Sequence, residues 1–157
     1  MSFDLGEIAV RYYFGDLQYW KLPGIVADAL EQGYDGRALR ILAGLIKPTA
    51  ADIRDGEIDA AFREMGILAP IPEDKARLIL AKQSAAKAIS GESNVFDQAT
   101  YIRIHLCRLK DPPEELRRIV GLSKEARNAP RAMWEQLEAE LTEAFSEFLA
   151  NQATGTG

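Results

Sequence analysis

The sequence predicts an all-α fold, a single compact bundle of about six to eight helices over residues 1–150 with a flexible C-terminal tail at 151–157. Three observations carry this expectation. Apolar residues recur at helical intervals along most of the chain, the alternating Val/Ile/Thr runs of strands are nearly absent, and no repeat, low-complexity block or interdomain linker breaks the pattern. With 157 residues and 47% hydrophobic side chains, a domain of this size hides roughly 70% of its unfolded surface without a disulfide or metal staple.

Asp4 is placed to cap a first helix that runs through about Phe14. On it Leu5, Ile8, Ala9 and Tyr12 share one face, while Val10 and Phe14 point the other way. Pro23 suits the first turn of a second helix, which Gly33 can close in a left-handed conformation. Asp35 is the expected cap of a third, with Leu39, Leu42 and Leu45 on one side. Thr49 can begin a fourth, in which Ile58, Ala61, Phe62 and Met65 follow the helical spacing; Gly56 is a point where it can split and Gly66 supplies the stop.

Pro72 starts the long run PEDKARLILAKQSAAKAI, ended by Gly91, and Asn94 caps VFDQATYIRIHLCRLK. The pair Pro112-Pro113 forces a break before EELRRIVGL. Pro130 then opens the last helix. Its Trp134, Leu137, Leu141, Phe145 and Phe148 fall within about 80° of one another, and Glu140, Glu143 and Glu147 cluster on the opposite side. That pattern describes a helix lying on the core with an acidic back.

The net charge of -5 is unevenly spread: residues 1–74 sum to -6, residues 75–110 to +5 and residues 111–157 to -4. An acidic chain repels phosphate backbones overall, although a basic segment can act locally. The lone Cys107 has no partner for an intrachain bridge, which fits a reducing cytoplasm. Asp4 and Glu7 stand where a signal peptide would be basic and then apolar, and no run of about 18 apolar residues occurs, so neither export nor a membrane span is expected.

No catalytic residue, metal or cofactor is expected from the motifs. His105 and Cys107 would lie about 200° apart on a helix and cannot readily share one ion. The run DIRDGEIDAAFRE fails as a calcium loop, because with Gly56 at the sixth position the first, third and last positions become Ala51, Ile53 and Phe62. Asp52, Asp55, Glu57 and Asp59 read instead as a solvated helix start, where carboxylates favour the dipole. No glycine-rich phosphate loop is present. A helix-turn-helix over 35–66 would turn an acidic second helix toward DNA. Carboxylates remote in sequence can still meet in space.

The stretch RYYFGDLQYW, residues 11–20, holds five of the thirteen aromatic side chains. Tyr12 reads as core. Tyr13, Phe14, Tyr19 and Trp20 suit either the interior or a surface for a partner, since Tyr and Trp serve both environments. As a surface they would supply anchors, with Glu140, Glu143 and Glu147 steering a partner that carries a basic cleft. The alternative function uses Lys75, Arg77, Lys82, Lys87, Arg103, Arg108 and Lys110, set against Glu92 and Asp97, in a regulator or adaptor that binds nucleic acid. The plainer reading of that segment is a solvated pair of helices neutralised by acidic neighbours.

The phrases ALEQGYDGRALRILAGL, DAAFREMGIL, AAKAISGE with DQATYIRIHL, and ELRRIVGLSKEARNAPRAMWEQLEAEL span much of the chain. Together they resemble a loose group of small uncharacterised bacterial helical proteins, some of which sit beside polymorphic or contact-dependent toxins as immunity proteins. The resemblance implies a non-enzymatic protein that binds and occludes a cognate toxin, and it supplies no catalytic residue to carry over.

Overall fold

The computed structural model describes residues 5–45, 55–108 and 111–154. Among these the protein is all-α, with eight α-helices and no strand. The expected roles of Asp4, Thr49, Asp52 and Lys110 fall outside the described residues. The chain divides into two compact units, Met1–Ala76 and Arg77–Gly157.

The first unit contains α1 (Leu5–Phe14), α2 (Leu22–Glu31), α3 (Arg37–Ala43) and α4 (Asp55–Glu64), with a 3-10 turn at Tyr19–Lys21. Its core takes residues of the expected stripes, Leu5 and Ala9 of α1, Leu39 and Leu42 of α3, and Ile58, Ala61 and Phe62 of α4, with Met65 just beyond, and adds Leu22, Val26 and Ala29 of α2. Val10 and Phe14 are buried as well, so α1 hides both of its apolar sides. Gly33 and Gly66 end α2 and α4 with positive φ of 103° and 83°, as expected. Gly15 does the same for α1 at φ 91°, where the Gly15 amide donates to Tyr12 O at 3.0 Å and the Asp16 amide to Arg11 O at 2.8 Å. A side chain with a Cβ is strained in that conformation, which makes glycine the fitting residue at the turn into Tyr19 and Trp20.

In the second unit α5 (Glu73–Ile89), whose first turn straddles the division, is followed by α6 (Val95–Tyr101), a π-helical turn (Ile102–Leu106), α7 (Arg117–Asn128) and α8 (Trp134–Thr154). α8 thus continues to Thr154, into the segment expected as a tail. Asn94 caps α6 as its type suggests, its Oδ1 accepting from the Phe96 amide at 2.7 Å. The long helix expected from Asn94 onward does not keep one geometry: the Cys107 amide donates to Ile102 O at 2.9 Å, a wide turn in place of an α-turn. Small residues Ala81, Ser84, Ala85 and Ala88 are buried along α5. Ser84 donates to Gln98 Oε1 at 2.5 Å, and Arg77 Nε donates to Leu106 O at 2.7 Å, tying α5 to α6 and its extension.

Leu137, Leu141, Phe145 and Phe148 of α8 are buried as the periodicity requires. Trp134 is the exception and corrects that stripe, for it is 47% exposed. It stands in the first turn of α8, where its Nε1 donates to Ala129 O at 3.3 Å and Arg131 lies over its ring at 6.0 Å. Helical angle sets direction, but burial also needs a neighbour at that height.

The cap of α3 also differs from expectation. Asp35 accepts from the adjacent Gly36 amide and pairs with Arg40 at 3.5 Å, reaching no amide further into α3 among the described residues. The α3 amides are taken instead by the Glu64 carboxylate of α4, whose Oε1 lies 2.7 Å from Ala38 N and 3.4 Å from Leu39 N. A Cβ at Gly36 would collide with that carboxylate. A carboxylate at a helix N-terminus satisfies orphan amides and meets the positive end of the dipole. Glu64→Ala is therefore expected to lower the stability of the first unit by about 1–2 kcal/mol, read by urea unfolding. Faster hydrogen exchange at the Ala38 and Leu39 amides should accompany it, and unchanged exchange there would contradict the capping role.

Candidate functional site

The aromatic stretch resolves into two kinds of position. Phe14 is 2% exposed and takes the interior alternative, so it leaves the set of candidate anchors; its place on the second apolar side of α1 is the physical reason. Tyr12 is half-buried, its ring 5.8 Å from that of Phe62. Tyr13 packs edge-on to Tyr12 at 5.1 Å and tilted on Phe62 at 5.6 Å. Beyond Gly15 the 3-10 turn carries Tyr19 and Trp20, edge to face at 5.6 Å, and Trp20 is 51% exposed. A shallow cleft of about 620 Å³ runs along this edge, lined by Tyr12, Tyr13, Leu17, Tyr19, Trp20 and Asp59.

Asp59, expected only as a solvated charge, is half-buried and accepts a hydrogen bond from the Tyr13 hydroxyl. Burial raises the Tyr13 phenol well above its ordinary value, the hydrogen bond to Asp59 and that carboxylate's charge add to the rise, and Arg63 opposes it. Fixed in this way, Tyr13 forms one wall of the cleft and not a loose side chain over it.

The three glutamates of α8 do not form a uniform acidic surface. Glu143 and Glu147 reach across to Arg118 of α7, at 3.8 and 2.5 Å. Glu140 is half-buried and accepts from Gln136 at 3.4 Å. Arg118 offsets part of the charge that the helical angle alone places on the back of α8.

The basic segment is likewise dispersed. Arg77 is committed to the Leu106 carbonyl, and Arg103 is buried, donating from Nε to Ser123 Oγ at 3.0 Å. Lys82, Lys87 and Arg108 are exposed. His105 is exposed and its ring lies 5.4 Å from that of Tyr101, whereas Cys107 is buried. Burial pushes the Cys107 thiol up, with Arg77 acting in the opposite direction. Among the described residues no three His, Cys, Asp or Glu side chains are grouped so as to hold a metal ion.

Sequence reasoning missed Arg103 and Ser123 as a pair. Together they floor a second cleft, of about 660 Å³, between the α6 extension, α7 and the start of α8. A signal was present: Arg103 lies four residues beyond Ala99, on the buried stripe of that helix, an unusual place for a cation.

No family model, curated protein or solved structure matches the chain. Among the described residues no helix is long and apolar enough to cross a membrane.

Because Tyr13 holds its proton to higher pH in the folded chain than in the unfolded one, its contribution to stability is fully present below the ordinary value of 10.0 and declines as pH rises beyond it. The stability difference between the wild type and Tyr13→Phe is expected to shrink above that pH in parallel urea melts. A difference that stays constant or widens would show that the hydroxyl does not act through its proton.

Proposed function

We propose that the protein is a non-catalytic binding protein that docks on a basic protein surface through the Tyr13, Tyr19 and Trp20 edge of its first unit. The observation that carries this reading is Trp20, an aromatic side chain held half outside by the 3-10 turn and braced by Tyr19. Large exposed aromatics of this kind are typical anchors of protein interfaces, since they bring area at little rotamer cost. Net charge supports a basic partner: residues 1–74, which supply this edge, sum to -6.

The most concrete form of the role is that of a bacterial immunity protein, occluding a toxin whose substrate cleft is basic. The resemblance of the helical phrases to such proteins supports this form, and so does the acidic balance, because clefts that handle nucleic acid carry positive charge. Charge accelerates encounter, and the aromatic edge slows release.

Co-expression with the product of the adjacent gene tests the proposal. The wild type is expected to co-purify with that product and suppress its toxicity, with an association rate that falls as salt is added. Trp20→Ala is expected to weaken the complex by roughly 30-fold while the melting temperature stays near that of the wild type. A harmless neighbour with no complex, or a Trp20→Ala variant that binds as the wild type does, would defeat the proposal.

A further inference from the structure

We propose that the second unit holds a small-molecule site, the cleft floored by Arg103, which takes a carboxylic acid with an apolar body. This site is separate from docking through Trp20 and does not depend on it.

The π-helical turn sets Arg103 on the inner side of the α6 extension, only 8% exposed, where Ser123 of α7 accepts from its Nε. That bond fixes the plane of the guanidinium. Its terminal nitrogens Nη1 and Nη2 have no hydrogen-bonding or ion-pairing partner among the described residues. No side-chain nitrogen lacking a partner is sealed from the surface, so these two open into the cleft that Arg103 lines. The exposed edge of an arginine held by Nε is a two-pronged donor, with the spacing of a carboxylate's oxygens.

Above this donor the walls are apolar: Phe96, Ile104, Ala126 and Trp134. A volume of about 660 Å³ lies within the roughly 300–1,000 Å³ of ordinary ligand sites. Trp134, displaced from the core stripe, forms part of the rim, and its half-exposed ring has a use there that core packing does not give it. The charged lining is Arg103 and Arg127 against Asp97, one net positive charge. A carboxylate balances that charge, whereas a phosphate dianion exceeds it and adds repulsion from Asp97. An apolar body of matching length then covers the aromatic and aliphatic walls.

Calorimetric titration of the full chain with decanoate, decanol and decyl phosphate tests the assignment. Decanoate is expected to bind with one-to-one stoichiometry, with the neutral alcohol weaker by roughly tenfold or more and decyl phosphate also weaker. Arg103→Met, which keeps an unbranched apolar stem but removes the donors, is expected to cost decanoate roughly tenfold or more in affinity. Trp134→Ala changes an exposed residue and should leave melting unaltered while weakening decanoate several-fold. If Arg103→Met unfolds, the ligand series and Trp134→Ala decide the matter. No binding of decanoate at millimolar concentration, equal binding of decanol, tighter binding of decyl phosphate, or a folded variant at either position that binds as the wild type does would each overturn the proposal.

Discussion

A guanidinium cannot escape burial by giving up its proton, and this constraint governs the second unit. Most ionisable groups moved out of water shift their titration and become neutral, but arginine stays charged. Arg103 is buried with one neutral acceptor, Ser123, on one of its three nitrogens. Closing α7 and the start of α8 over the remaining nitrogens would leave a charge stranded in apolar surroundings, at a cost of several kcal/mol. The packing therefore stops short at this point. The hollow next to Arg103 follows from the charge at its floor as much as from the shapes of Phe96 and Ile104.

Polar side chains also decide the arrangement of the first unit, where burial of Leu, Val and Ala supplies attraction without direction. Two of the carboxylates on α4, Asp59 and Glu64, reach different neighbours: Asp59 meets Tyr13 of α1, and Glu64 meets the amides of α3. Five residues apart, they project about 140° from each other around the helix. One helix thereby sets the azimuth of two others. Tyr13 is held by this arrangement, and the Tyr19–Trp20 pair follows one turn later along the same edge.

Much of the architecture was written in local signals. Gly33, Gly66 and Gly91 end helices with positive φ, Asn94 caps α6, and Pro72 and the Pro112-Pro113 pair mark helix starts. Each of these acts within a few residues, which is why spacing reveals it. What stayed hidden depends on residues distant in sequence. The cap of α3 comes from a carboxylate 26 residues away. Arg118 answers Glu147 over a separation of 29. Helical angle placed Trp134 with Leu137 and Leu141 but carried no information on how far neighbouring helices extend. Phe14 and Trp20 look alike as aromatics, but the second apolar side of α1 takes the first inward and the chain beyond the turn at Gly15 carries the second outward. The division into two units falls within the first turn of α5, so no linker composition exists to announce it.

The wide turn at Ile102–Leu106 has a genetic reading. A π-turn within an α-helix corresponds to one surplus residue accommodated without breaking the rod. Excising a single codon from that stretch would restore a regular α-helix and re-aim the residues of the turn itself, Arg103 among them. Hydrophobic content would hardly alter, yet the guanidinium and its serine would no longer meet. The cavity is thus tied to reading-frame-preserving length, and chains that differ here by one residue would share a silhouette without sharing the pocket.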